Sequence, residues 1–377
     1  MAAGREGDGA IRSSVARDGT FTSVQMLRAV AALSVVAYHA GVLWRDKTSA
    51  AVAYVWENGG AGVDLFFVIS GFIILISGQK MGAAAGGPGA GRFLELRLIR
   101  LLPVYWLATV LKLAMLAVVP AGVAVNGAPP LSNIIASFFL IPARNAAGDV
   151  FPVVVVGWTL SFELLFYVLF AAALKARRDP VRFVVPVLIA LTVAGLWRRE
   201  DWPAPTVLLS PMLLEFAGGM ILGRLYLDRR LPVVPAAAAV AMLIAGGVYL
   251  AVGPFESWWA RAIGFGTAAC IVLWAALSLE RYCTGPVSAA LRFVGETSYS
   301  LYLIHGFVLP VVGVVAMKLP LSGVWLGIVI AVASIVGSVI AGIVLHLAFE
   351  RPVTRALRRV AHDRRDRASL ASAKSPL

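Results

Sequence analysis

Apolar runs long enough to cross a bilayer recur along the chain, separated by shorter polar segments. Ten are read, at roughly 24–43, 61–78, 101–119, 157–174, 183–197, 205–223, 232–252, 262–279, 298–317 and 323–348. Each is close to the ~20 residues a helix needs to cover a hydrocarbon core. A shorter run, LSNIIASFFLIP (131–142), is too brief to cross and reads as an interfacial or re-entrant piece on a long loop. The pattern therefore predicts an all-α integral membrane protein of about ten transmembrane helices. Residues 1–23 are polar and rich in Gly and Arg, so a disordered N-terminus is expected there. They lack a short apolar core followed by a small-residue cleavage site, so the first span is expected to stay as an anchor. The membrane domain is expected over 24–350 and a basic tail over 351–377.

Composition agrees with this pattern. A hydrophobic fraction of 60% against 14% charged residues, sustained over 377 residues, excludes an ordinary soluble domain. The net charge of +13 would suggest nucleic acid in a soluble protein, but its distribution points instead to the lipid bilayer as the partner. With the N-terminus inside, all but eight of the 33 Lys and Arg fall on cytoplasmic segments or at their border. The eight are Arg45, Lys47, Lys112, Arg144, Arg198, Arg199, Arg261 and Lys318. Basic loops favour the cytoplasmic side, so both termini are expected there and no nucleic acid is expected. The tail RPVTRALRRVAHDRRDR (Arg351–Arg367) reads as a topology determinant resting on anionic lipid. Cys270 and Cys283 have neither metal-ligand spacing nor a disulfide framework, and no metal is expected.

Ionisable residues inside spans are the default functional candidates. They are Arg28, His39, Asp64, Lys112, Glu163, Glu215, His305 and His346. Arg28 and His39 stand eleven positions apart in LRAVAALSVVAYHA. On a helix that is three turns, so both lie on one face, about 16 Å apart along the axis. Asp64, in GGAGVDLFFVISGF, opens the second span at the same side of the membrane as His39. A carboxylate neighbour there would hold the imidazole in one tautomer and tune it as a general base. Arg97 and Arg100 lie at i,i+3 on a helix entering the third span. Paired guanidiniums suit the phosphates of a nucleotide-type ligand, although anchoring to the cytoplasmic face explains them almost as well. In GWTLSFELLFY, Glu163 and Tyr167 are i,i+4 neighbours and Trp158 falls at the outer interface. Glu215 is a similar intramembrane carboxylate with less around it. His305 follows Tyr299 and Tyr302, which favours a hydrogen-bond network over catalysis. His346 receives no role. GxSxG, HExxH, Walker and GxGxxG patterns are missing.

Taken in order, these segments resemble the acyltransferase-3 family of membrane O-acyltransferases, most closely its exopolysaccharide-modifying branch. The marks are Arg28 and His39 as an Arg-x10-His, the GVDLFFVISGF opening of the second span, and Arg97 and Arg100 as R-x-x-R. Trp158, Leu160, Glu163 and Tyr167 form a W-x-L-x-x-E-x-x-x-Y element, and Ser298–His305 a SYSLYLIH element. The resemblance implies a ten-span module that takes an acyl group from cytoplasmic acyl-CoA, typically acetyl-CoA, to a carbohydrate hydroxyl. It implies catalysis at His39 and donor binding near Arg97 and Arg100. Joined to the expected topology, Arg28 would lie beneath the donor, and Asp64 or Glu163 would orient the ring. Trp158, Tyr167 and His305 are the expected substrate contacts. His39 would act as a general base or carry the acyl group itself. The acceptor is an exopolysaccharide or lipid-linked glycan, with polysaccharide-synthesis machinery as a further partner and a bacterial inner membrane as the location. Some relatives carry a soluble hydrolase-like domain after the membrane part. With residues 349–377 following the last span, that step is expected of another protein or is absent. Many spans with buried charges also fit a transporter or flippase for a polar solute. That reading predicts an internal repeat, and none is convincing between 24–197 and 205–348.

Overall fold

The computed structural model describes residues 21–47, 56–82, 89–118, 128–255 and 257–373. The disordered segment expected over 1–23 falls, over 1–20, outside the described residues. Among those described, regular structure is helical apart from one isolated bridge between Arg144 and Val150. The helices are α1 (Thr22–Lys47), α2 (Gly62–Gly82), α3 (Gly89–Val118), α4 (Leu131–Phe138), α5 (Trp158–Lys175), α6 (Pro180–Ala194) and α7 (Leu213–Leu227). They continue as α8 (Ala236–Val252), α9 (Trp258–Ser278), α10 (Gly285–Glu296), α11 (Ser298–Ala316), α12 (Gly323–Leu345) and α13 (Arg351–Ala373).

Among the described residues, eight helical stretches are long and apolar enough to cross a membrane. They answer eight of the ten expected runs. The other two are shorter: α8 has 17 residues and α7 has 15. The run at 205–223 departs most from a single helix. Ala204–Leu208 is a 3-10 turn, and the chain breaks before α7 begins. Three prolines, Pro203, Pro205 and Pro211, account for it, because each removes a donor and disfavours helix in the residue before it. Pro103 has the opposite outcome. It lies inside α3, which runs unbroken from Gly89, so Arg92, Arg97 and Arg100 belong to the same helix as the span.

The short run at 131–142 does not cross. Only Leu131–Phe138 is helical, and Leu131, Ile135 and Phe139 face outward while Asn133 and Ser137 are buried. Asn133 Nδ2 donates to the carbonyls of Ala143 and Phe151, and Ser137 Oγ accepts from the Val153 amide. An apolar outer face over a polar inner one suits a helix at a lipid boundary.

Between helices, lipid removes the hydrophobic incentive to pack, so close approach and shape matter more. Helix α2 sits centrally and meets α7 where Gly71 lies on the Phe216 main chain and Gly219 on the Val68 main chain. A β-carbon at either glycine would collide with the partner backbone. Beside this crossing, Phe67 stacks on Phe216 with ring centroids 4.5 Å apart, and Phe166 packs on the same ring at 4.8 Å. Helical structure does not end with the last span at residue 348. A π-helical turn, His346–Glu350, joins α12 to α13. Pro352 cannot donate to that turn, which accompanies the widened register.

Candidate active site

Two ends of the bundle carry the ionisable side chains. At the arginine-rich end, a cavity of about 210 Å³ is enclosed chiefly by α1, α2, α3, α5 and α11. Arg28, Arg97, Arg100, Glu163, Tyr167 and Tyr299 line it, between apolar walls from Val63, Phe66, Phe67 and Leu160. The helical periodicity that puts Arg97 and Arg100 on one face of α3 turns both inward. Arg97 donates to Ser77 Oγ and lies over the rings of Phe93 and Tyr167, at 5.5 and 5.8 Å from their centroids. Arg28 donates to Gln25 Oε1 at 3.2 Å. Glu163 accepts from the Tyr167 hydroxyl at 2.5 Å, as the i,i+4 spacing predicts. Arg28 and Arg97 both feel the charge of Glu163, and Arg28 also that of Glu350, so carboxylates partly balance the group of cations. Tyr299 ties α11 to α3 by donating to the Leu101 carbonyl at 2.5 Å. A wider cavity adjoins this one, and Arg97 and Arg100 line both.

The other end holds His39 and His305. Tyr302 lines the inner cavity, and its hydroxyl contacts Thr159 Oγ1 and the Val156 carbonyl of the α5 entry. One turn along α11, His305 is buried, with its ring 5.8 Å from Tyr302 and 5.0 Å from His39. His39 Nδ1 lies 2.9 Å from the Val35 carbonyl, and His305 Nδ1 lies 2.6 Å from the Tyr302 carbonyl. A carbonyl only accepts, so each Nδ1 carries the proton and each Nε2 keeps its lone pair. No hydrogen-bond partner reaches His305 Nε2 among the described residues. Trp158 opens α5 near this end and packs edge-on against Phe162 at 5.8 Å.

Neither carboxylate expected to orient the imidazole is placed to do so. Asp64 is fully buried and held by Arg261, with Nε at 2.9 Å from Oδ1 and a terminal nitrogen at 2.6 Å from Oδ2. Arg261 also donates to the Gly60 carbonyl and lies over the rings of Phe255 and Trp258. Glu163 belongs to the arginine-rich cavity. The main chain of His39's own helix takes over the orienting role. Arg261 had been one of eight basic residues assigned to the far side by charge counting. Nothing in a 197-residue separation marks it as the partner of Asp64. Glu215, also buried, lies near the same pair.

Glu350 is likewise unmarked in the sequence, and His346, a candidate without a role there, is its partner. Glu350 Oε2 accepts from Ser300 Oγ at 2.6 Å and from His346 Nδ1 at 2.9 Å, so it fastens the π-helical turn to α11. It lies two residues beyond the last apolar run. Among the described residues, no group of His, Cys, Asp and Glu is arranged to hold a metal ion.

Comparison with known proteins supplies the wider setting. The acyltransferase domain of the acyltransferase-3 type matches residues 21–347. The chain is 34% identical over 306 residues to exopolysaccharide production protein ExoZ of Rhizobium meliloti (strain 1021), covering 79% of this chain and 90% of the relative. It is 30% identical over 302 residues to BcsY of Komagataeibacter xylinus, covering 74% and 70%. It is 24% identical over 377 aligned positions to acyltransferase MdmB of Streptomyces mycarofaciens, covering 89% and 92%. No solved structure matches.

Proposed function

From the membership of this chain in the acyltransferase-3 family, we propose that it moves an acyl group, acetyl in the first instance, from acyl-CoA to a hydroxyl of an exported polysaccharide. The enzyme is a membrane acyltransferase; donor, acyl chain and acceptor are our reading. The observation that carries it is the polar axis of the bundle, with Arg28, Arg97, Arg100 and Tyr302 around one cavity and His305 and His39 beyond it. The arginine-rich end is taken as cytoplasmic, where acyl-CoA is made, and the membrane as the bacterial inner membrane. The similarity to ExoZ favours an exopolysaccharide as acceptor, beside the machinery that synthesises it.

The phosphates dock on Arg97 and Arg100, and the pantetheine arm follows the inner cavity past Arg28 towards Tyr302. The acceptor approaches from the other end. Its hydroxyl oxygen attacks the thioester carbonyl carbon while His39 Nε2 takes its proton. The carbon–sulfur bond then breaks, and the imidazolium returns the proton to the departing thiolate. The products are an ester and the free thiol of CoA. The Val35 carbonyl holds Nδ1–H throughout, which keeps the lone pair on Nε2. Much of the rate comes from holding thioester and hydroxyl together away from water.

Mass spectrometry of surface glycan tests this in cells. Wild-type cells are expected to carry an acyl ester that is absent without this protein, restored by the wild-type chain and not by His39→Ala. A glycan with unchanged acylation in the deletion strain would overturn the reading.

A further inference from the structure

We propose that α13, the helix after the last span, is part of the donor site, with Arg358 and Arg359 binding the nucleotide phosphates of acyl-CoA. This rests on the acyl-CoA reading above. The wider cavity, about 730 Å³, has one wall from α3, with Arg92, Arg97 and Arg100, and an opposing one from α13, with Arg358, Arg359 and His362. Among the described residues, Asp363 is the one carboxylate lining it. That volume lies within the range of small-molecule sites, and the shared Arg97 and Arg100 set it directly beside the inner cavity.

Charge placement separates this from a topology signal. A cytoplasmic anchor needs basic residues at the membrane face, and any azimuth on the helix serves. Here Arg351, Arg355 and Arg364 lie off the cavity, while Arg358 and Arg359 line it. Arg358 is close enough to Arg100 and Arg97 for their charges to interact. Five guanidiniums around one hollow repel one another, and an anion with several phosphates relieves that repulsion. A phosphatidylglycerol headgroup brings one phosphate, whereas CoA brings a diphosphate and a 3′-phosphate. The direction of α13 is set before any ligand arrives, because Glu350 pins the π-helical turn to Ser300. The tail is thereby a wall of the site.

The test is CoA binding to full-length protein in nanodiscs of phosphatidylcholine alone and with added phosphatidylglycerol. Arg358→Gln/Arg359→Gln is compared with Arg355→Gln/Arg364→Gln, which removes the same charge away from the cavity. The first pair is expected to weaken CoA about tenfold or more in both lipids and to leave pantetheine, which lacks the nucleotide, unchanged. The second pair is expected to change CoA affinity less than about twofold. Arg358→Lys/Arg359→Lys, which keeps charge and bulk, should retain most of the affinity and covers failure of the glutamine pair to fold. Equal loss in both glutamine pairs, loss only with phosphatidylglycerol, equal loss of pantetheine, or no loss would each overturn the proposal. If wild type binds no CoA, the function proposed above falls with it. If wild type binds CoA and the first pair binds it equally, only the role of α13 falls.

Discussion

Glu163 shows how a single side chain changes meaning once its neighbours are known. Its helical spacing to Tyr167 was readable, because i,i+4 pairs meet on any helix. Its place among Arg28, Arg97 and Arg100 was not, because that depends on which spans adjoin. Asp64 is the counterpart: its end of the membrane was legible, but the sequence offered His39 as a partner when Arg261 had already taken it. The arrangement gives Glu163 the task of balancing cations. Removing it in Glu163→Gln leaves the arginines repelling in a low-dielectric cavity. The variant should therefore melt lower than wild type and be stabilised more by CoA, whose phosphates supply the missing negative charge. Melting curves with and without CoA check this. An equal CoA shift in both proteins would contradict it.

Helix ends and breaks are where the elements departed from the apolar pattern. Hydropathy averages over about 20 residues, so it located the spans but passed over the prolines that split 205–223. It also ended the last span at 348, because α13 is polar and its helical continuation is invisible to such a measure. Capping across the chain is equally hidden. Helix α1 has no acidic residue in its first turn, yet the amides of Thr22 and Ser23 donate to the two oxygens of Glu280, at 2.7 and 2.9 Å. A carboxylate on two exposed helix amides also opposes the dipole favourably. Glu280→Ala should lower stability by about 1–2 kcal/mol, read as a lower melting temperature, with Glu280→Gln closer to wild type. A melting temperature unchanged in Glu280→Ala would remove this cap from the account.

Over the whole molecule, charge asymmetry orients the proposed path from donor to acceptor, with the arginine-rich end expected at the cytoplasmic face. Single cysteines at Arg199 and Arg355 test it in intact spheroplasts with an impermeant maleimide. Arg199→Cys is expected to label from outside, and Arg355→Cys only after permeabilisation. The reverse pattern would invert the orientation. Native background is small at Cys283, since burial pushes its thiol up to about 11 and keeps it protonated at neutral pH.

The central claim is that His39 takes a proton while the acyl group passes directly from CoA to glycan. Purified protein in proteoliposomes, given acyl-labelled acetyl-CoA and acceptor glycan, tests it most directly. Label should reach the glycan with wild type and fall by about 10²-fold or more with His39→Ala, while CoA binding persists and no label stays on the protein without acceptor. Transfer undiminished in His39→Ala, or label held on wild-type protein in the absence of glycan, would contradict it.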